Sequence, residues 1–194
     1  MKRYFLIDLE NIGRTFIDGI ETLTLEDTLI ICHNKAIAEN IPQDISAKLR
    51  QSKATVKMLF IDNTVKNAMD FCLCTQLGYL LAENGSSAKY YIVSKDKGFD
   101  IAMDFTRSIN SRAEIKRVSS LRAQIEEDKL YKEERLKLEE LLAGHNKKVI
   151  NITQRCLDSC STCFAFHNML QKKLHPQEFR TVYAKVKHLY PMPQ

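Results

Sequence analysis

"YFLIDLEN", residues 4–11, runs four apolar or aromatic residues straight into Asp8, Glu10 and Asn11. Its apolar half has the length and composition of a buried strand. Such a strand gains nothing from ending in carboxylates, because a charge withdrawn from water costs free energy unless something pairs with it. The acids therefore mark a strand end that opens onto a site.

Four further stretches read as strands of the same kind: "TLIICHN" (28–34), "TVKMLFI" (55–61), "KYYIVS" (89–94) and "EIKRV" (114–118). Helical patterns lie between them. "PQDISAKLRQ" (42–51) opens with the proline that suits a first helical turn. "AMDFCLCTQLGYLLAEN" (68–84) carries apolar residues at helical spacing and stops at Asn-Gly, and "GFDIAMDFTRSI" (98–109) follows the fourth strand. Strands alternating with helices imply βαβ units. The expected fold is a three-layer α/β/α domain with a mainly parallel sheet of about five strands, followed by an α-helical extension.

Composition sets the outer limits. Hydrophobic residues make up 44% of the 194, enough for a true core, and no apolar run reaches membrane-spanning length. The start "MKRYFLIDLE" turns acidic too early for a secretory signal, so a cytoplasmic protein with reduced thiols is expected. Charge is uneven along the chain: residues 1–120 carry a net +1, residues 121–146 a net −2, and residues 147–194 a net +6. Three segments follow: a domain over 1–120, a charged connecting helix over 121–146, and a basic helical unit over 147–194. In the connecting segment Asp128 with Lys132 and Glu133 with Lys137 are spaced for i,i+4 pairing, and Gly144 suits a helix C-cap.

In a parallel sheet the carboxyl ends of the strands share one edge. Asp8 ends the first strand, Asp96 lies two residues past the apolar run of the fourth, and Asp70 opens the helix that should begin near that edge. Asp100 follows Asp96 by one helical turn. Asp62 ends the third strand but sits in a turn-like "DNT", and Glu10 and Asp104 read as surface acids. Crowded carboxylates repel unless one is protonated or a cation neutralises them. An oxygen-only donor set selects a hard ion, Mg²⁺ or Mn²⁺, and suits metal-assisted phosphodiester hydrolysis. Asn11 adds an amide and Ser94 a hydroxyl. Taken singly, Asp96 could be a helix N-cap and Asp70 could favour the positive end of its helix dipole, whereas Asp8 is followed by Leu9 with no turn signal.

The pieces "FLIDLENI", "KNAMDFCLCTQLGYLL" and "YYIVSKDKGFDIAMDF" together resemble PIN-like nucleases, close to the NYN branch, over roughly residues 3–118. The resemblance implies a metal-dependent ribonuclease. It implies Asp8, Asp70 and Asp96 as metal ligands and, with Asp100, as the catalytic acids. Asn11, Lys66, Asn67, Ser94 and Lys95 would lie on the substrate side. The departure is on the central helix, where many relatives carry a further acid and this chain has Thr75 and Gln76. One metal or two, and activity itself, stay open on that account. The alternative is an inactive PIN-like module for nucleic-acid binding or protein assembly. A phosphotransfer enzyme fits less well, since "DLEN" lacks a second acid two residues after Asp8.

Residues 149–188 read as one long helix, a break at "HPQ" (175–177), and a shorter helix. "CLDSCSTCFAFH" (156–167) resembles the cluster-binding motif of radical enzymes, and it also holds zinc-type ligands. The spacing of Cys156, Cys160, Cys163 and His167 is instead that of one apolar helical stripe. On a straight helix Cys156 and His167 stand about 16 Å apart, which favours core packing. Lys172, Lys173, Arg180, Lys185 and Lys187 interleave with Phe179, Tyr183 and Tyr190. That pattern suits RNA as a partner, or an amphipathic helix packing its aromatics inward. A homodimer is left open.

Overall fold

The computed structural model describes residues 1–35, 41–62 and 65–189, so Tyr190 lies outside the described residues. The chain divides into two compact units, Met1–Glu127 and Asp128–Gln194.

In the first unit the strands are β1 (Lys2–Ile7), β2 (Asp27–His33), β3 (Thr55–Phe60), β4 (Ala88–Val93) and β5 (Glu114–Val118). They form one sheet in the order β3-β2-β1-β4-β5. Every pairing is parallel. The helices are α1 (Leu9–Ile12), α2 (Gln43–Gln51), α3 (Ala68–Asn84) and α4 (Gly98–Ile109), with two 3₁₀ turns, Gly13–Ile17 and Ile20–Thr22, after α1. Strand order reverses between β1 and β4, the place where open α/β sheets leave a crevice.

Alternation along each strand feeds two cores. Tyr4, Leu6, Ile30, Tyr90 and Ile92 face Leu73 and Leu77 of α3 and Phe99 and Met103 of α4. Phe5, Ile7, Leu29, Tyr91 and Val93 face Phe16, Ile20, and Ile45 and Leu49 of α2. Paired aromatics at the same register bind β1 to β4: Tyr4 stacks on Tyr90 at 5.7 Å and Phe5 on Tyr91 at 4.9 Å. Gly19 has a φ of 95°, and a Cβ there would meet the Cα of Arg122 at 3.1 Å, so only glycine lets that turn approach so closely.

Helix α5 (Leu121–Leu141) begins in the first unit and ends in the second. In the second unit α6 (Lys147–Ser159), α7 (Cys163–Lys173) and α8 (Pro176–Val186) enclose their own core, with Leu138, Leu142, Val149, Cys156, Phe166, Leu170 and Val182 buried. The single long helix expected over this stretch is two helices. Cys160 is extended, and Thr162 opens α7 by accepting a hydrogen bond from the Ala165 amide at 3.1 Å. A capping hydroxyl satisfies an orphan amide, so it starts a new helix where the apolar spacing alone would continue the old one. The straight-helix distance between Cys156 and His167 therefore does not apply. Phe179 and Tyr183 pack against this core, stacked at 5.4 Å, with the His167 ring edge-on to both. Lys172, Lys173, Arg180, Lys185 and Lys187 are exposed.

At the amino-terminal edge of the sheet, Arg3 and Asp27 are register partners. Arg3 donates from Nε to Oδ1 of Asp27 at 2.6 Å and from Nη2 to Oδ2 at 2.8 Å. The Thr24 amide and hydroxyl also donate to Oδ2, at 2.7 and 3.0 Å. Burial pushes the carboxyl pKa up, but Arg3 and the Thr24 donors outweigh it and hold Asp27 below its ordinary value. Breaking such a buried pair leaves an uncompensated charge, so Asp27→Asn should cost about 3–5 kcal/mol, read as a fall of roughly 10 °C in Tm. The stabilisation exists above the ordinary carboxylate value and is lost as pH falls through the lower, folded value. Thermal melts should therefore show wild type losing more stability than the variant under acid, and parallel pH profiles would count against this account.

Candidate functional site

The reversal of strand order leaves the carboxyl ends of β1 and β4 side by side, and the Asp8 amide donates to the Val93 carbonyl across that gap at 3.1 Å. Asp8 is 1% exposed. Its Oδ2 accepts from the Ser94 hydroxyl at 2.6 Å and from Asn11 Nδ2 at 2.7 Å, while its Oδ1 accepts from the Asn11 amide at 3.3 Å. Asp8 thereby caps α1 as well as facing the site.

Ser94 is wholly buried and joins the strand ends. Its amide donates to Val118 at the end of β5 (3.0 Å), its hydroxyl donates to Asp8, and its Oγ accepts from the Asp96 amide at 2.9 Å. Asp96 is exposed and uses Oδ1 to accept from the Gly98 amide at 2.7 Å, at the start of α4. A Cβ on Gly98 would stand 3.2 Å from that oxygen, tighter than ordinary contact, so the glycine lets the carboxylate fold back onto the helix start.

Asp70 sits half-buried in the first turn of α3. Burial first, then the negative charges of Asp8, Asp96 and Glu10, push its carboxyl pKa up. Glu10, set aside in the sequence as a surface acid, thus shares the field of the three aspartates. Asp70 and Asp96 line one cavity of about 300 Å³, together with Asn67, Phe71 and Cys74. Asn67 enters α3 with a φ of 64°, the left-handed region that a non-glycine residue adopts at a cost. Burial and the nearby Asp70 charge raise the Cys74 thiol, which favours its neutral form.

Asp100 is placed differently. Arg117 donates to both its oxygens, from Nε at 2.7 Å and Nη2 at 3.1 Å, and from Nη1 to the Ser94 carbonyl at 3.3 Å. The Arg117 bonds hold the Asp100 carboxyl below its ordinary value. Its charge is offset, and Arg117 becomes a strut between β5, α4 and the end of β4. Sequence reading missed Arg117, since 17 residues separate it from its partner. Lys66 and Lys95 are exposed, as is Asp62 just past the edge strand β3. Thr75 is exposed and Gln76 half-buried on α3.

Among the described residues no three carboxylate, imidazole or thiol groups are gathered tightly enough to hold a metal ion. The donor chemistry nonetheless fits a hard divalent cation: Asp8, Asp70 and Asp96 offer only oxygen, and the repulsion felt at Asp70 is the kind a cation relieves. The cysteines of the second unit form no such group either. Cys156 is buried in the core, Cys160 meets the Met169 sulfur at 3.8 Å, and Cys163 lies 3.7 Å from the Tyr183 hydroxyl.

A parallel sheet with acids at its switch point defines an open α/β fold with a crevice at the carboxyl ends of its strands. The family model described as PIN domain matches residues 2–114, more than half of the chain, and the chain belongs to the PIN domain family. PIN domains are typically nucleases, generally use Mg²⁺ or Mn²⁺, and commonly bind RNA. No curated protein and no solved structure matches the chain significantly. No helix among the described residues is long and apolar enough to cross a membrane.

If crowding raises the Asp70 carboxyl, its ionised form opposes folding at neutral pH. Asp70→Asn should then raise Tm at pH 7 without metal. The gain should shrink as pH falls through the raised folded value and vanish below the ordinary carboxylate value. Added Mn²⁺ should stabilise wild type and not the variant. Melting curves unmoved by either change would mean that the acids do not share a field.

Proposed function

We propose that the chain is a metal-dependent endoribonuclease, hydrolysing phosphodiester bonds of single-stranded or structured RNA in the cytoplasm. The observation carrying this reading is geometric. Ser94 joins the Asp8 carboxylate to the Asp96 backbone, while Asp70 and Asp96 line one cavity. Asp8, Asp70 and Asp96 would hold the ion. A bound Mg²⁺ or Mn²⁺ supplies an activated water and offsets charge on the phosphate.

The residues of the chain do the positioning. Ser94 and Asn11 fix the Asp8 carboxylate, so that acid needs no reorganisation. Arg117 neutralises Asp100 and steadies the Ser94 carbonyl, which supports a pocket-shaping role for Asp100. Lys66, Lys95 and Asn67 would meet substrate phosphate at the rim, and the exposed lysines and arginine of residues 147–194 would draw RNA toward the protein. The reading treats the chain as acting alone; the homodimer left open from the sequence is no part of it.

A second reading, an inactive RNA-binding or assembly module, draws on Thr75 and Gln76 and on the acids not closing into a three-ligand group. Incubation of the full chain with labelled RNA separates the two. Cleavage should require Mg²⁺ or Mn²⁺, and Asp96→Asn should lower kcat/KM by at least about 100-fold, the scale of losing one preorganised charge-stabilising group. RNA binding indifferent to chelator, with no cleavage under either metal, would establish the second reading instead.

A further inference from the structure

The inward stripe of α3 is complete without Phe71: Met69, Leu73, Leu77, Leu80 and Leu81 are all buried. Phe71 lies off that stripe and is 68% exposed. A ring of this size left in water forgoes much of the stabilisation that burial would bring. Phe71 is nevertheless a wall residue of the acidic cavity, beside Asn67, Asp70 and Asp96. Its main chain is fixed, because its amide donates to the Asn67 carbonyl at 3.1 Å in the first turn of the helix.

The other walls narrow what this ring could meet. Among the described residues no lysine or arginine lines the cavity, so its fixed charges are negative. Residues of this wall cannot grip a phosphate by charge. What Phe71 offers is a flat apolar face at the mouth, oriented by a rigid helix start. Unpaired bases are recognised on such faces, and every base has one, so the contact tolerates any sequence but not a base already stacked within a duplex.

We propose that Phe71 stacks on the base adjoining the phosphodiester that enters the acidic cavity. The inference rests on the ribonuclease reading above. It makes Phe71 a positioning residue that binds substrate without taking part in the chemistry.

The test compares wild type, Phe71→Ala and Phe71→Trp as full chains. Stacking is worth about 1–3 kcal/mol per base, or about 5- to 140-fold at tenfold per 1.4 kcal/mol. Phe71→Ala should raise KM for a single-stranded oligoribonucleotide by that factor and leave kcat within about twofold, and Phe71→Trp should restore KM. In chelator, wild type should bind an intact oligonucleotide more tightly than one with an internal abasic residue, and Phe71→Ala should not distinguish them. An unaltered Tm for Phe71→Ala shows that the fold is intact. Equal KM for wild type and Phe71→Ala would overturn the inference while leaving the nuclease reading in place. So would equal losses in both variants, or an unchanged KM with loss of self-association, which would make Phe71 a protein contact. A wild type that neither binds nor cleaves RNA would overturn both.

Discussion

Asp8 follows the end of β1, where Ile7 is flanked by Ile31 and Val93, and a carboxylate buried there can persist only if donors surround it. Ser94 and Asn11 supply them, and the arrangement of the pocket follows from that requirement. Because Ser94 also holds the Asp96 amide with its hydroxyl and reaches the Val118 carbonyl at the end of β5 with its own amide, one residue fixes three strand ends at once. Strand order makes this arrangement accessible. With β1 central and the chain turning back at β4, Asp8 and Ser94 arrive at the same edge from positions 86 residues apart.

The two ends of the sheet are built on opposite principles. At the amino-terminal edge, Arg3 and Asp27 cancel one another and Thr24 fills the remaining lone pairs. At the carboxyl-terminal edge, negative charge is accumulated and only Asp100 is neutralised, by Arg117. This is the separation expected if the carboxyl-terminal edge is the functional one, since uncompensated charge is costly to the fold.

Much of the fold could be read from the sequence because the five strands are short apolar runs with clear punctuation. The helices over 68–84 and 98–109 match their expected limits, since Asn-Gly and the strand ends bound them. Other features left no local signal. Helix α1 is four residues long, too short to show a period, so the capping role of Asp8 was hidden. The break at Cys160 lies inside an apolar stripe that continues across it, and only Ser161-Thr162 hinted at a new start. In the candidate site, the three aspartates were legible as strand and helix ends. Arg117 was not, because an ion pair across 17 residues depends on the register of β5 against β4. Glu10 is exposed, as a surface acid should be, but its charge also acts through space on Asp70, a residue 60 positions away in the sequence.

The acids are also mounted unequally. Asp8 directly follows a strand paired on both sides and accepts three hydrogen bonds. Asp70 and Asp96 ride on helix starts, one behind the left-handed Asn67 and the other folded against Gly98. One carboxylate is thus set by the central sheet and the other two by the local geometry of helix starts, so a change confined to the first turn of α3 or α4 would move Asp70 or Asp96 and leave Asp8 in place.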